Sequence, residues 1–156
     1  MNRTRIDLPA QQLVPHRGAM LLLERIIDAN ADGASAQATI RSDDLFYRPQ
    51  GTGAWVGIEY MAQTIAAWAG WRARQKGEAP KVGFLLGTRR YLCHRSFFQE
   101  GETLHIDVER EIEAGNGLGR FDCSIRIGEL LVAHGQLAVF EPHNAKTFLM
   151  DQTIDQ

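Results

Sequence analysis

Glu59 is the only charged residue between Trp55 and Gly70. The apolar spacing of that stretch predicts a helix, so its carboxylate falls in the first turn. An acid there has a plain electrostatic account, because carboxylates are favoured at the positive end of a helix dipole. It also has a chemical one. A carboxylate partly withdrawn from water titrates above its ordinary range and can give or take a proton. Helix-terminal amides beside it, at Gly57, can polarise a substrate carbonyl. Gln63 lies one turn later on the same face, where it can hold a substrate or cap a buried backbone group. His16 sits in Val14-Pro15-His16-Arg17-Gly18-Ala19-Met20, a loop pinned by its proline and glycine. A lone loop histidine is often structural, yet its pKa suits proton transfer near neutrality.

The remaining titratable groups narrow the chemistry. His94, His105, His134 and His143 show no metal-ligand spacing, so neither a metal nor a cofactor is expected. Strand periodicity puts His105 and His134 on the solvent or helix-distal face. Cys93 and Cys123 lack ligand spacing too and are read as reduced thiols. The 156 residues carry 44% hydrophobic and 23% charged side chains with a net charge of −2. That balance fits one globular domain over 1–156 with its own core, and excludes a nucleic-acid footprint. No stretch reaches the length of a membrane span, and Met1–Gln12 lacks the apolar centre of a signal peptide, which points to the cytoplasm.

The elements that must position these groups follow from the hydrophobic period. Leu21–Ala29 and Ala34–Ile40 read as a strand hairpin across the turn Asn30-Ala31-Asp32-Gly33. The irregular, aromatic stretch Ser42–Gly53 includes Tyr47 and leads straight into the helix, a common place for binding groups. From Trp55 to Lys76 the period becomes helical, with Ile58, Met61, Ala62, Ile65 and Ala69 on one face. The helix is apolar nearly all round, as one enclosed by a sheet must be. Arg72, Arg74 and Lys76 suit its negative end, and Gly77 supplies a stop.

Val82–Leu92, Leu104–Ile112, a strand through Phe121, Cys123, Ile125 and Ile127, and Leu130–Phe140 then follow, with Gly115-Asn116-Gly117 as a hairpin turn. The core therefore spans about 13–140, and 141–156 is a polar tail. Two strands, a buried helix and about four more antiparallel strands define an α+β fold, a curved sheet wrapped around one long helix. Such a sheet leaves an open edge that a second copy can cover, so a homodimer is expected.

The segment Leu13–Ile26, containing VPHRGAMLLLERI, and Ile58–Ala66, IEYMAQTIA, resemble the β-hydroxyacyl-acyl-carrier-protein dehydratases of bacterial fatty-acid synthesis. Those enzymes open with a similar proline-histidine-arginine segment. They carry a glutamate, an alanine and a glutamine on the central helix of a hotdog fold. Glu59 and Gln63 occupy those helix positions, and Gly101 looks like the glycine turn before a later family strand. More narrowly, the chain is similar to the dehydratase-like proteins of aryl polyene lipid pathways, through PHRGAMLLL. The resemblance covers most of Leu13–Phe140.

One departure stands out. The fatty-acid enzymes place a histidine in the loop ahead of the helix, whereas Leu45–Ala54 here holds none. His16 folding into the site, Tyr47 or a water serving instead, and a silent subunit beside an active partner all remain open; His16 is the favoured candidate.

The resemblance implies a 3-hydroxyacyl thioester on acyl carrier protein, dehydrated to the trans-2-enoyl thioester. Glu59 is assigned to the hydroxyl and His16 to the α-carbon, with Gln63, Gly57 and Tyr47 as substrate-binding residues. An acyl tunnel at a dimer interface would be lined by the apolar helix side. Arg72, Arg74, Arg89, Arg90 and Arg95 are candidates for a basic landing patch for the carrier protein, although each is also an ordinary surface charge. The rivals are a hotdog thioesterase and a non-catalytic acyl-binding subunit, including one paired with a related dehydratase.

Overall fold

The computed structural model describes residues 2–79, 83–113 and 115–141, with the side chains of Ile112 and Glu113 left aside. Ten strands and one long helix follow in the order β1 (Thr4–Pro9), β2 (Arg25–Asn30), β3 (Gly33–Thr39), β4 (Tyr47–Arg48), β5 (Gly51–Gly53), α1 (Gly57–Gln75), β6 (Phe84–Cys93), β7 (Phe97–Phe98), β8 (Thr103–Glu113), β9 (Leu118–Ile127) and β10 (Leu130–Phe140). Seven strands form one antiparallel sheet in the order β1-β2-β3-β8-β9-β10-β6. The short β4, β5 and β7 form a second, three-stranded sheet.

The helix packs on β2, β3, β8 and β9. Strand alternation explains why. Ala34, Ala36 and Ala38 of β3 turn small buried side chains inward, and Leu104, Ile106 and Val108 of β8 turn larger ones. A helix can therefore approach one half of the sheet closely while the neighbouring half fills with bulk. The outward residues His105 and His134 are exposed.

The helix begins two residues later than its apolar pattern, because Ala54–Val56 forms a 3-10 turn that leaves Trp55 exposed. Its end follows the glycine rule: Gly77, at φ 69°, donates to Arg74 O at 3.1 Å, and Glu78 N donates to Ala73 O at 2.8 Å. These bonds satisfy carbonyls that a helix end leaves orphaned.

Three boundaries depart from the sequence pattern. β2 starts at Arg25 rather than Leu21, because the Leu22 N–H donates to the Gln63 side chain and is lost to the ladder. The polar N-terminus forms β1, attached by ion pairs: Arg3 reaches Asp107 at 2.6 Å and Glu109 at 2.7 Å. The loop before the helix is partly ordered as β4 and β5. Of the expected strand Val82–Leu92, Val82 lies outside the described residues, as do 142–156 of the expected tail.

Candidate active site

The helix places Glu59 and Gln63 one turn apart, and the chain between β1 and β2 brings His16 to them. His16 Nε2 lies 3.9 Å from Glu59 Oε1. That is too long for a hydrogen bond and close enough for both groups to address one small substrate. The two side chains are 28% and 36% exposed, so the pair is open to a ligand. His16 Nδ1 is buried with no hydrogen-bond partner among the described residues.

Three devices hold this loop. Gly70 lets the Leu13 backbone lie directly on the helix, since a Cβ at position 70 would collide with Leu13 O. Arg17 donates to Val14 O at 2.6 Å and to His16 O at 2.7 Å, which ties the loop around the imidazole. Gly18, at φ 59°, makes the turn that follows. Gln63 completes the fastening. Its Nε2 donates to Met20 O at 2.8 Å and to Glu59 Oε1 at 3.1 Å, and its Oε1 accepts from Leu22 N at 2.9 Å.

Gln63 is fully buried with both ends of its amide engaged. Its amide is thus engaged by Glu59 and by the backbone of the loop. Gly57 opens α1 against Tyr91, whose hydroxyl occupies the space a Cβ would need. Tyr91 also donates to Ala54 O at 2.5 Å, fixing the start of the helix. Tyr47 pairs with Thr52 across β4 and β5 and does not line the cavity described next. The structure thus brings His16, Glu59 and Gln63 together and leaves Tyr47 apart.

From His16 and Glu59 a cavity of about 560 Å³ follows the helix face of Ala62, Ala66 and Ala69 as far as Arg72. Leu85 of β6, Leu118 and Phe121 of β9 and Val139 of β10 form the facing wall. Of the five arginines considered for a landing patch, Arg72 lies in this cavity and Arg95 pairs with Glu102 at 2.7 Å. Arg74 is exposed beside Gln12 at 3.3 Å, and Arg89 and Arg90 are exposed on β6. Sequence reasoning missed Arg17 and Gly70 as positioning residues. The arginine next to the histidine was a usable signal; the glycine inside a helix was another, since it costs stability unless something packs there.

A curved antiparallel sheet around one central helix, with an acid at the helix start facing a cavity, defines a hotdog-fold protein. The chain belongs to the ApeP-like dehydratase family, whose model, described as ApeP dehydratase, matches residues 8–150. Among solved structures it is similar to the dehydratase heterocomplex ApeI:P from Xenorhabdus doucetiae, at 28% identity and a TM-score of 0.86, covering 96% of this chain and 99% of that one. More distant structures share the fold alone. The E. coli PaaI protein of the phenylacetic acid degradation operon has 15% identity and a TM-score of 0.57, covering 74% of this chain and 80% of that one. The smu.793 protein of Streptococcus mutans, bound to acetyl CoA, has 12% identity and a TM-score of 0.59, covering 81% and 93%. No curated protein sequence matches the chain. Among the described residues, no helix is long and apolar enough to cross a membrane.

Proposed function

We propose that the chain dehydrates a 3-hydroxyacyl thioester carried on acyl carrier protein, giving the trans-2-enoyl thioester in aryl polyene synthesis. The observation that carries this reading is the His16–Glu59 pair at the head of a cavity that is apolar along Ala62, Ala66 and Ala69 and charged beyond them, at Arg72, Lys76 and Glu78. His16 takes the α-proton as the C–H bond breaks. Glu59 gives a proton to the β-hydroxyl as the C–O bond breaks, so a C=C bond forms and water leaves. Gln63 keeps Oε1 of Glu59 occupied, which leaves Oε2 for the substrate.

The edge of β6 supports assembly with a second chain. β6 pairs only with β10 among the described strands, and its Leu85, Leu86 and Leu92 are exposed. The opposite edge, β1, is guarded by a bulge at Asp7 and by Pro9, which discourage pairing. The partner is a second copy or, as in the ApeI:P heterocomplex, a related dehydratase.

Incubation with a 3-hydroxyacyl-carrier protein, read by mass spectrometry, tests the reaction. Loss of water is expected; release of free acid would indicate a thioesterase. Glu59→Gln and His16→Ala are each expected to lower kcat by about 10²-fold or more. Unchanged turnover in Glu59→Gln would favour a non-catalytic partner subunit, a reading supported by the absence of a histidine in Leu45–Ala54.

A further inference from the structure

β6 does not run straight past the start of α1. Its ladder with β10 pairs Leu92 with His134 and Arg89 with Gln136, so Arg90 and Tyr91 together face the single residue Gly135. Two residues opposite one make a β-bulge, and the extra residue reverses which side chains point inward. Thr88 pairs with Leu137, whose side chain is buried in the core. Simple alternation from Thr88 would therefore aim Arg90 at the helix and Tyr91 at solvent. The bulge reverses this: Arg90 is exposed and Tyr91 is half-buried.

The reversal strains the backbone. Arg90 adopts φ 55°, a left-handed setting that favours glycine. Two glycines make room for the ring. A Cβ at Gly135 would sit 3.2 Å from the Tyr91 Cα and Cδ2, and one at Gly57 would collide with the Tyr91 hydroxyl. That hydroxyl donates to Ala54 O at 2.5 Å. Ala54 O also accepts from Gly57 N, where the 3-10 turn passes into α1. Burial pushes the phenol above its ordinary range, which keeps it a donor.

We infer that Tyr91 is a positioning residue, aimed by the Arg90 bulge to fix the first turn of α1 and with it the direction of Glu59 towards His16. This rests on the dehydratase reading of that pair. The Ala54 carbonyl does not need the tyrosine to be satisfied, because Gly57 N already bonds to it. Yet a left-handed arginine and two glycines converge on that one hydroxyl. Strain of this kind persists where the surroundings over-determine it, and it gathers where function depends on placement. Glu59 follows Gly57 by two residues, so a small rotation of the first turn swings its carboxylate across the 3.9 Å gap to His16. Gln63 Nε2 holds Glu59 Oε1 from one turn later at 3.1 Å, and Tyr91 holds the helix from the N-terminal side.

The test measures kcat and KM with a 3-hydroxyacyl thioester for the full chain and for Tyr91→Phe, Arg90→Gly and Arg90→Val. Tyr91→Phe keeps the ring and leaves Ala54 O bonded to Gly57 N, so thermal stability is expected to change little. Its kcat is expected to fall by about five- to fiftyfold. KM is expected to hold, because Tyr91 does not line the cavity. An unchanged kcat overturns the inference, and so does a fall that tracks the unfolded fraction at the assay temperature. Arg90→Gly and Arg90→Val both lose the charge, but only glycine accepts the left-handed setting without strain. Arg90→Gly is therefore expected to keep a kcat well above that of Arg90→Val; equal losses in the two overturn the role of the bulge. If the unaltered chain releases no water from the thioester, the dehydratase reading fails by itself. The role of Tyr91 is then decided by NMR, from the nuclear Overhauser contact between the His16 ring and the Glu59 methylenes. That contact is expected to weaken in Tyr91→Phe, and an unchanged one overturns the inference.

Discussion

Replacing Gln63 with leucine removes its hydrogen bonds to Met20 O, Leu22 N and Glu59 while preserving most of its volume. Two part-buried backbone groups then lose their partner, at a cost of about 1–2 kcal/mol, measurable by urea unfolding. Because Gln63 orients Glu59 without lining the cavity, Gln63→Leu is expected to lower kcat far more than it raises KM. Glu59 and Gln63 were legible as a pair because helical periodicity fixes neighbours four residues apart. What the amide does there was not legible. The sequence left open whether it meets a substrate or the backbone, and only the path of residues 18–23 over the helix decides. His16 was visible through its proline and glycine. Its approach to Glu59 depends on contacts across some forty positions of sequence, which no local pattern carries.

Among the elements, the sequence pattern located the helix, β3 and the β8–β10 meander, where alternation or a 3.6-residue period is unbroken. It missed β1 because only two apolar residues, Ile6 and Leu8, mark its inner face among polar neighbours, and the ion pairs of Arg3 just ahead of it leave no pattern in the sequence. It missed β7, two residues long, because such a strand has no period to read. The helix also carries a prediction at Gly70. Alanine is the better helix former by about 1 kcal/mol, yet here its Cβ would press on a backbone carbonyl that cannot swing aside. Gly70→Ala is therefore expected to destabilise the fold by about 1–3 kcal/mol in thermal or urea unfolding. It should also slow turnover, since Leu13 begins the segment that delivers His16.

Over the whole molecule, the two sheet edges are unequal. β1 carries a bulge and ends in a proline, while β6 offers ten residues of strand with Leu86 60% exposed. Apolar side chains beside unpaired backbone groups are the ingredients of an interface. Leu86→Lys is expected to convert a dimer to monomers in light scattering at working concentration; a monomeric unaltered chain would defeat the proposed pairing. An open edge followed from counting strands around one helix. Which edge it is did not, because β1 was not visible and the order of strands is a property of the folded sheet.

The pairing of His16 with Glu59 within a single chain has a consequence for mixed assemblies. A site divided between two subunits can be rebuilt by complementation: chains defective at one residue and chains defective at the other together restore a whole site. On the proposed dehydratase reading, each chain brings its own histidine to its own glutamate, so a defective chain would spoil only itself. Co-expressed His16→Ala and Glu59→Gln chains are expected to remain as inactive together as apart. Recovery of turnover in the mixture would mean that the working histidine arrives from across the interface.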